Sequence, residues 1–234
     1  MNARKVSILS LMLVIILSVV GIVYAHWSDL VTIEGTINMG SLTLSFDWEE
    51  PPNCIEYWMN DTQLVEGEYL NKSVGDCSCW FEDVIQDPHT GKLGYKKLVI
   101  LVNNAYPQYY VHTTFKLHNI GTIPLSLVAF NINGEKRNAT GHKIYNLLWY
   151  DPNGDHIGSL WEDVNNNSIV DTDVDIGVIN LEITNQLPYQ IDPCHTHKCE
   201  IDLDFKQDAE ECHTYFIYVE VISVQWNKAS EVEG

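Results

Sequence analysis

Apolar and polar residues alternate with a period of two along most of this chain. In the segment Tyr109–His118, the odd-numbered residues, from Tyr109 to Leu117, lie on one face of an extended chain. The even-numbered residues, from Tyr110 to His118, lie on the other face. This alternation is typical of a half-buried strand. The same pattern predicts strands at Leu42–Phe46, Leu98–Val102, Ile123–Ile132, Val178–Ile183, Ile201–Phe205 and His213–Trp226.

Turn signals separate these predicted strands. They are Asn119-Ile120-Gly121, Asn133-Gly134 and the run from Asp151 to Gly154. Residues 47–97 and 150–175 break the alternation, and we interpret both as long insertions between strands. Seven or more short strands predict an all-β jelly roll or β-sandwich, with one domain over residues 38–234.

The N-terminus has the three parts of a secretory signal. Arg4 and Lys5 precede an apolar run from Val6 to Val23, and Val23-Tyr24-Ala25 is a small-x-small cleavage site. We therefore predict a helical signal peptide over residues 1–25, cleavage by signal peptidase, and an extracellular location at the cell surface or in a matrix. The alternative is an uncleaved anchor, since about 18 apolar residues suffice to span a bilayer. No second apolar span follows, so no stable membrane span is expected after cleavage.

The charge balance restricts the partners of the exported protein. The formal net charge is −19, and it becomes −21 when Arg4 and Lys5 leave with the leader. Nucleic-acid binding needs clustered lysine and arginine, so nucleic acid is not an expected partner. Four sequons offer glycosylation sites after export, at Asn60, Asn71, Asn138 and Asn166.

Six cysteines in an exported chain predict three disulfides. They fall into two groups, Cys54, Cys77 and Cys79 in the first half and Cys194, Cys199 and Cys212 in the second. Six cysteines allow fifteen pairings, and the sequence does not choose among them. A bridge between Cys77 and Cys79 would close a very small ring, so we expect these two to have different partners.

Two groups of motifs resemble a known family. The first group is Ala25-His26-Trp27-Ser28-Asp29 followed by Gly40-Ser41-Leu42-Thr43-Leu44. The second group is Asn104-Ala105-Tyr106-Pro107 leading to Phe115–Pro124. Both groups resemble segments of the TasA and camelysin family of secreted proteins, including its archaeal members. The resemblance covers the leader, the first strand and the middle strands. It implies a jelly-roll subunit that polymerises head to tail into an extracellular pilus or biofilm filament, with the N-terminal strand of one subunit inserted into the next.

The segment of residues 26–37 suits such a donor strand on physical grounds. Leu30 and Thr32 alternate with Val31 and Ile33, so the strand can give backbone hydrogen bonds to an open sheet edge and side chains to its groove. A head-to-tail contact that does not close on itself produces a filament. The predicted polymerisation residues are Trp27, Leu30, Val31, Ile33 and Ile37. The alternative is that residues 29–37 are the first strand of their own domain, whereas Leu42–Phe46 are assigned to the subunit's own core.

An Asn- and Asp-rich stretch is the candidate metal loop. With Asp163 as position 1 of a calcium loop, the oxygen ligands at positions 3, 5, 7 and 9 fall on Asn165, Asn167, the Ile169 carbonyl and Asp171. Position 6 is Ser168 rather than glycine, and position 12 is Val174 rather than glutamate, so Asp173 or Asp175 would have to replace the last ligand. The competing interpretation is a solvated acidic loop without calcium, which glycosylation at Asn166 would favour.

No sequence pattern indicates an enzyme. The chain contains no His-Glu-x-x-His, Gly-x-Ser-x-Gly or phosphate-loop motif. Cys194-His195-Thr196-His197-Lys198-Cys199 matches no zinc module, and we interpret its cysteines as disulfide residues. Two alternatives to a filament subunit remain, a monomeric calcium- or glycan-binding surface module and a secreted hydrolase with an unrecognised site.

Overall fold

The computed structural model describes residue 8 and residues 10–18, 40–60, 63–66, 75–184 and 189–231. The chain divides into two units, Met1–Met39 and Gly40–Gly234. In the first unit residues 10–18 are helical, within the predicted signal helix. Within the described residues we find no helix of the length and apolarity that crossing a bilayer requires.

The second unit consists almost entirely of strands. Thirteen strands are described: β1 Leu44–Phe46, β2 Asn53–Asn60, β3 Gln63–Glu66, β4 Asp76–Gln86, β5 Leu93–Asn103, β6 Tyr109–Asn119, β7 Leu125–Arg137, β8 Lys143–Tyr150, β9 Ile157–Glu162, β10 Ile176–Ile183, β11 Tyr189–Ile191, β12 Thr196–Phe205 and β13 Thr214–Gln225. A 3₁₀ helix, Trp226–Glu231, follows β13. The all-β prediction is confirmed.

Nine of these strands form a closed hydrogen-bonded ring. Its order is β1-β5-β13-β7-β8-β9-β10-β12-β6, and β6 pairs with β1 again. The short strand β1 closes the ring, because it pairs with β6 from Leu44 to Phe46 and with β5 at Tyr95. The predicted two-sheet sandwich or jelly roll is therefore not what the pairing shows, since the strands form one closed barrel.

Four strands lie outside the ring. β2 continues along the edge of β6 that β1 begins, and β3 pairs with β2. β4 pairs with the full length of β5, and β11 pairs with the start of β7. Strand therefore occupies much of the predicted insertion at residues 47–97, and β9 lies within the predicted insertion at residues 150–175.

The barrel interior is one contiguous apolar cluster. β6 shows the reason, because its residues are buried and half-buried in strict alternation from Tyr109 to Asn119. Residues with almost no exposed surface come from every part of the ring, for example Phe46, Leu98, Leu117, Leu147, Leu181, Leu203 and Tyr215. Each of the seven strand segments predicted from alternation overlaps a described strand, although Leu42, Ile123 and Trp226 lie outside the strands, and Phe46 belongs to the core as expected.

One predicted turn is wrong. Asn133-Gly134 lies in the middle of β7, paired with both β13 and β8. Gly134 is needed there for close packing, since a Cβ atom at this position would overlap the carbonyl oxygen of Phe216. The predicted turns at Asn119-Ile120-Gly121 and Asp151–Gly154 do separate strands, β6 from β7 and β8 from β9.

Candidate functional site

The predicted donor strand lies outside the described residues. Trp27, Leu30, Val31, Ile33 and Ile37 all belong to it, so their role stays a prediction. The second unit, however, contains a place where a strand could be added. It is the line along which β2 and β4, two strands outside the ring, meet. We call this line the β2–β4 seam.

On the β4 side of the seam, a sheet edge is unpaired among the described strands, because β4 pairs only with β5. The backbone N–H of Cys77 points away from β5 and donates to Glu56 Oε1 at 2.9 Å. Alternate residues of an antiparallel strand direct their backbone groups to the same edge. Cys79 and Phe81 therefore also present N–H and C=O groups to the seam.

Aromatic side chains lie behind this edge. The Phe46 ring, which is fully buried, lies 5.2 Å from the Phe81 ring and 5.4 Å from the Phe115 ring, centroid to centroid. Phe81 also lies 5.7 Å from Tyr95. Beyond the Cys77 end, a strand added along β4 would thus meet the backbone groups of Cys79 and Phe81 and the half-buried Phe81 ring, the two features that strand addition uses.

A disulfide fixes one end of the seam. Cys54 of β2 and Cys77 of β4 are joined, with their Cα atoms 6.2 Å apart. Cys77 and Cys79 are not joined to each other, as expected, but Cys79 has no disulfide partner and the three predicted disulfides are not formed. Cys79, Cys194 and Cys212 are thiols, and Cys199 is buried on β12. Burial raises the pKa of the Cys79 thiol to about 11, so this thiol is poorly reactive.

In the candidate metal loop, two buried carboxylates fold the chain around themselves. Asp163 accepts the backbone N–H groups of Asn167 and Ser168, each at 3.0 Å. Asp175 accepts those of Val164 at 3.0 Å and Asp171 at 2.8 Å, so it ties the start of the loop to its end. Asp175 is therefore the structurally important acidic residue near the C-terminal end of the loop.

The remaining predicted ligands also bond to the loop backbone. Asn165 accepts from Asn167, Asn167 from Ile169 and Asp171 from Asp173. In the described part of the chain no group of three or more His, Cys, Asp or Glu side chains is arranged to hold a metal ion. Ser168 has a φ of 60°, the left-handed conformation that glycine supplies at position 6 of a calcium loop. Calcium binding stays a prediction.

The sequons differ in position. Asn166 is exposed at the tip of the candidate metal loop with a φ of 57°, and Asn138 lies in the turn after β7, where its Oδ1 accepts from Thr140 and His142. The Asn60 side chain and Asn71 lie outside the described part of the structure. Glycosylation at all four positions stays a prediction.

Sequence reasoning did not predict a groove on the outer face of the barrel. The groove has a volume of about 520 Å³ and includes Tyr110, Asn180, Glu182, Asp202 and Asp204 in its lining. Beside it, His112 Nδ1 lies 2.7 Å from Asp202 Oδ1. The alternation in the sequence could have indicated this groove, because its polar lining residues are the outward residues of β6, β10 and β12. They lie opposite one another in register.

Comparison with protein-family models, with curated proteins and with solved structures gave no match. The likeness to the TasA and camelysin family therefore rests on the short motifs in the sequence.

Proposed function

We propose that this protein is the structural subunit of an extracellular filament, assembled by donation of the N-terminal strand of one subunit to the next. In this proposal the closed barrel takes the place of the jelly-roll subunit that the family resemblance implies. Residues 26–37 are the donor, and the β2–β4 seam of a second copy is the acceptor. The protein then works through self-association and needs no catalytic site.

The observation that carries the proposal is that the barrel closes without the donor segment. All nine strands of the ring come from residues 44–225, and β1 closes the ring with only three residues. An alternating apolar segment that its own barrel does not require is suited to pair with another copy. The unpaired edge of β4 supplies the complementary surface, because exposed edges pair readily with strands of other chains.

The two ends of one subunit are then different surfaces, a donor strand and an acceptor edge. Such a contact is heterologous, and it propagates into an open filament when the rotation between subunits does not close a ring. Main-chain hydrogen bonds supply affinity in this mode, and side chains at every second position supply register. Cleavage after Ala25 would release the donor, so export and assembly would be coupled.

Electron microscopy of two proteins tests the proposal. Mature protein beginning at His26 is expected to form filaments when concentrated, whereas protein that lacks residues 26–37 is expected to remain a folded monomer. Circular dichroism shows whether the shorter protein keeps its strands, and light scattering gives its mass. Filaments from the shorter protein would refute strand donation.

Point variants separate the donor from general hydrophobic association. Val31→Asp places a charge on the donor strand and is expected to stop filament growth. Ile144→Asp is the matched control, because Ile144 is 40% exposed on β8, outside both the donor strand and the candidate metal loop. Mature wild-type protein that stays monomeric with and without calcium would instead favour the monomeric calcium- or glycan-binding module, for which the outer groove is the observed surface.

A further inference from the structure

Lys136 of β7 is a lysine with no exposed side-chain surface. Its Nζ lies 2.8 Å from Glu162 Oε1 and 2.9 Å from Glu210 Oε2. Glu162, the last residue of β9, is 2% exposed, whereas Glu210, in the connection between β12 and β13, is 60% exposed. Lysine and glutamate are almost never fully buried unless they are paired, and burying such a pair is costly.

The barrel brings these three residues together from distant parts of the chain. Lys136 is paired in register with Tyr145 of β8 and Tyr215 of β13, and Glu162 with Leu147 of β8. The side chains of Lys136 and Glu162 therefore meet across β8. Strand pairing thus fixes the contact between Lys136 and Glu162, whereas Glu210 reaches the amine from the connection between β12 and β13.

One tyrosine contacts the amine and a second tyrosine holds Glu210. The Tyr145 ring centroid lies 5.3 Å from Lys136 Nζ. The Tyr215 side chain is buried, and its hydroxyl accepts the backbone N–H of Glu210 at 3.1 Å. The amine thus contacts two carboxylates and one aromatic ring, in a site that is buried at Glu162 and exposed at Glu210.

The surroundings of Glu162 and Glu210 shift the pKa values of these two carboxyl groups in opposite directions. Burial raises the pKa of Glu162, against the lowering effect of Lys136, while the hydrogen bond from Lys136 lowers the pKa of Glu210. Glu162 is thereby biased toward the neutral acid and Glu210 toward the carboxylate. A pair of carboxyl groups whose environments separate them in this way can serve as an acid and a base in one reaction.

We propose that Lys136 and Glu162 condense to an intramolecular amide cross-link between β7 and β9, with Glu210 as the base. The carboxylate of Glu210 takes a proton from the ammonium group, and the neutral amine attacks Cδ of Glu162. The new bond joins Nζ to Cδ, one C–O bond of the carboxyl group breaks, and its oxygen leaves as water. One proton passes through Glu210 to solvent. The reaction consumes no oxidant, reductant or second substrate.

Physical chemistry favours this reaction at this site. Two groups held in contact react far faster than the same groups in solution, because their translational and rotational freedom is already lost. The product replaces a buried ammonium group and a buried carboxyl group by a neutral amide, which is less costly to bury. Exclusion of water from the barrel interior then opposes hydrolysis of the product.

Mass spectrometry of the folded, purified protein tests the cross-link. The intact, deglycosylated and reduced protein is expected to be lighter than its sequence by the mass of one water molecule. Tryptic digestion is expected to give one branched peptide that joins the segments containing Lys136 and Glu162. Recovery of both segments as separate, unmodified peptides from folded protein would overturn the proposal.

Two variants keep the test independent of folding. Glu210→Gln changes an exposed side chain, so the barrel is expected to remain folded while the mass returns to that of the uncross-linked sequence. Glu211→Gln, the exposed neighbour, is the matched control and is expected to retain the cross-link. Full cross-linking in a folded Glu210→Gln variant would overturn the assignment of Glu210 as the base. Neither result depends on whether the protein forms filaments.

Discussion

At the scale of single residues, Asp87 is the carboxylate that fixes the turn between β4 and β5. It has no exposed surface and accepts hydrogen bonds from Thr43 Oγ1 at 2.6 Å and from the Thr90 backbone at 2.7 Å. Burial raises the pKa of this group, but hydrogen bonds from Thr43 and Thr90 together outweigh burial, so the pKa lies below its usual range. Thr43 directly precedes β1, so Asp87 also connects the ring-closing strand to the β4–β5 turn.

Replacement of Asp87 by asparagine is expected to lower the free energy of unfolding by about 1 to 3 kcal/mol at pH 7. Because the pKa of Asp87 is lower in the folded than in the unfolded protein, its charge stabilises the fold above about pH 4 and this contribution is lost as the pH falls further. The difference between Asp87→Asn and wild type should therefore shrink below about pH 4. Urea unfolding at neutral and acidic pH measures it.

The control for this prediction is Asp208→Asn, since Asp208 is exposed in the connection between β12 and β13. We expect this variant to change stability by less than about 0.5 kcal/mol at either pH. A difference for Asp87→Asn that is independent of pH would show that the loss comes from packing and not from the charge.

At the scale of elements, the Cys54–Cys77 disulfide connects two strands that lie outside the ring. The two cysteines are 23 residues apart in sequence. Loop-closure entropy predicts that such a cross-link stabilises the fold by about 3 kcal/mol. Cys54→Ser is expected to lower the free energy of unfolding by this amount, measured by urea unfolding without reductant.

Cys212→Ser is the control for the disulfide, because Cys212 is an exposed thiol. Reductant should destabilise wild type and Cys212→Ser equally and should leave Cys54→Ser unchanged. If reductant has no effect on wild type, the disulfide does not contribute to stability.

For the candidate metal loop we predict that calcium binds through Asp163 and raises the melting temperature. At a free calcium concentration about 100 times the dissociation constant, the gain in stability is about 2.7 kcal/mol. Asp163→Asn is expected to abolish the gain, and Asp155→Asn, outside the loop, to retain it. A calorimetric titration without heat, together with an unchanged melting temperature, would identify the loop as solvated and free of calcium.

The elements also show how far sequence reasoning reaches. β6 was predictable because one face is buried and the other is half-buried along its whole length. β4 was missed because it is half-buried from Cys77 to Phe81 without alternation and then becomes exposed, as expected of a strand outside the ring. The turn at Asn133-Gly134 was a local signal overridden by packing against β13.

Side-chain contacts that depend on the pairing of different strands were not predictable. Lys136 and Glu162 are 26 residues apart, and only the pairing of β7, β8 and β9 brings their side chains into contact. The candidate metal loop, by contrast, was found in sequence because its oxygen ligands lie within one continuous stretch. Sequence patterns thus report contacts within a strand or a loop better than contacts across a barrel.

At the scale of the whole molecule, charge opposes the assembly that we propose. Mature subunits of net charge −21 repel one another, and repulsion between exposed charges is screened over about 10 Å at 0.1 M salt and about 3 Å at 1 M. We therefore expect filament growth to accelerate with ionic strength, equally for sodium chloride and choline chloride. Turbidity and electron microscopy of matched samples measure this rate.

Calcium distinguishes screening from bridging between acidic subunits. If calcium only screens charge, it should act like sodium chloride at equal ionic strength, and a chelator should leave preformed filaments intact. Faster growth with calcium at equal ionic strength, and dissolution by the chelator, would assign it a bridging role. If no salt changes the growth rate, charge repulsion does not limit the contact between the donor strand and the β2–β4 seam. The acidic side chains would then lie away from this contact.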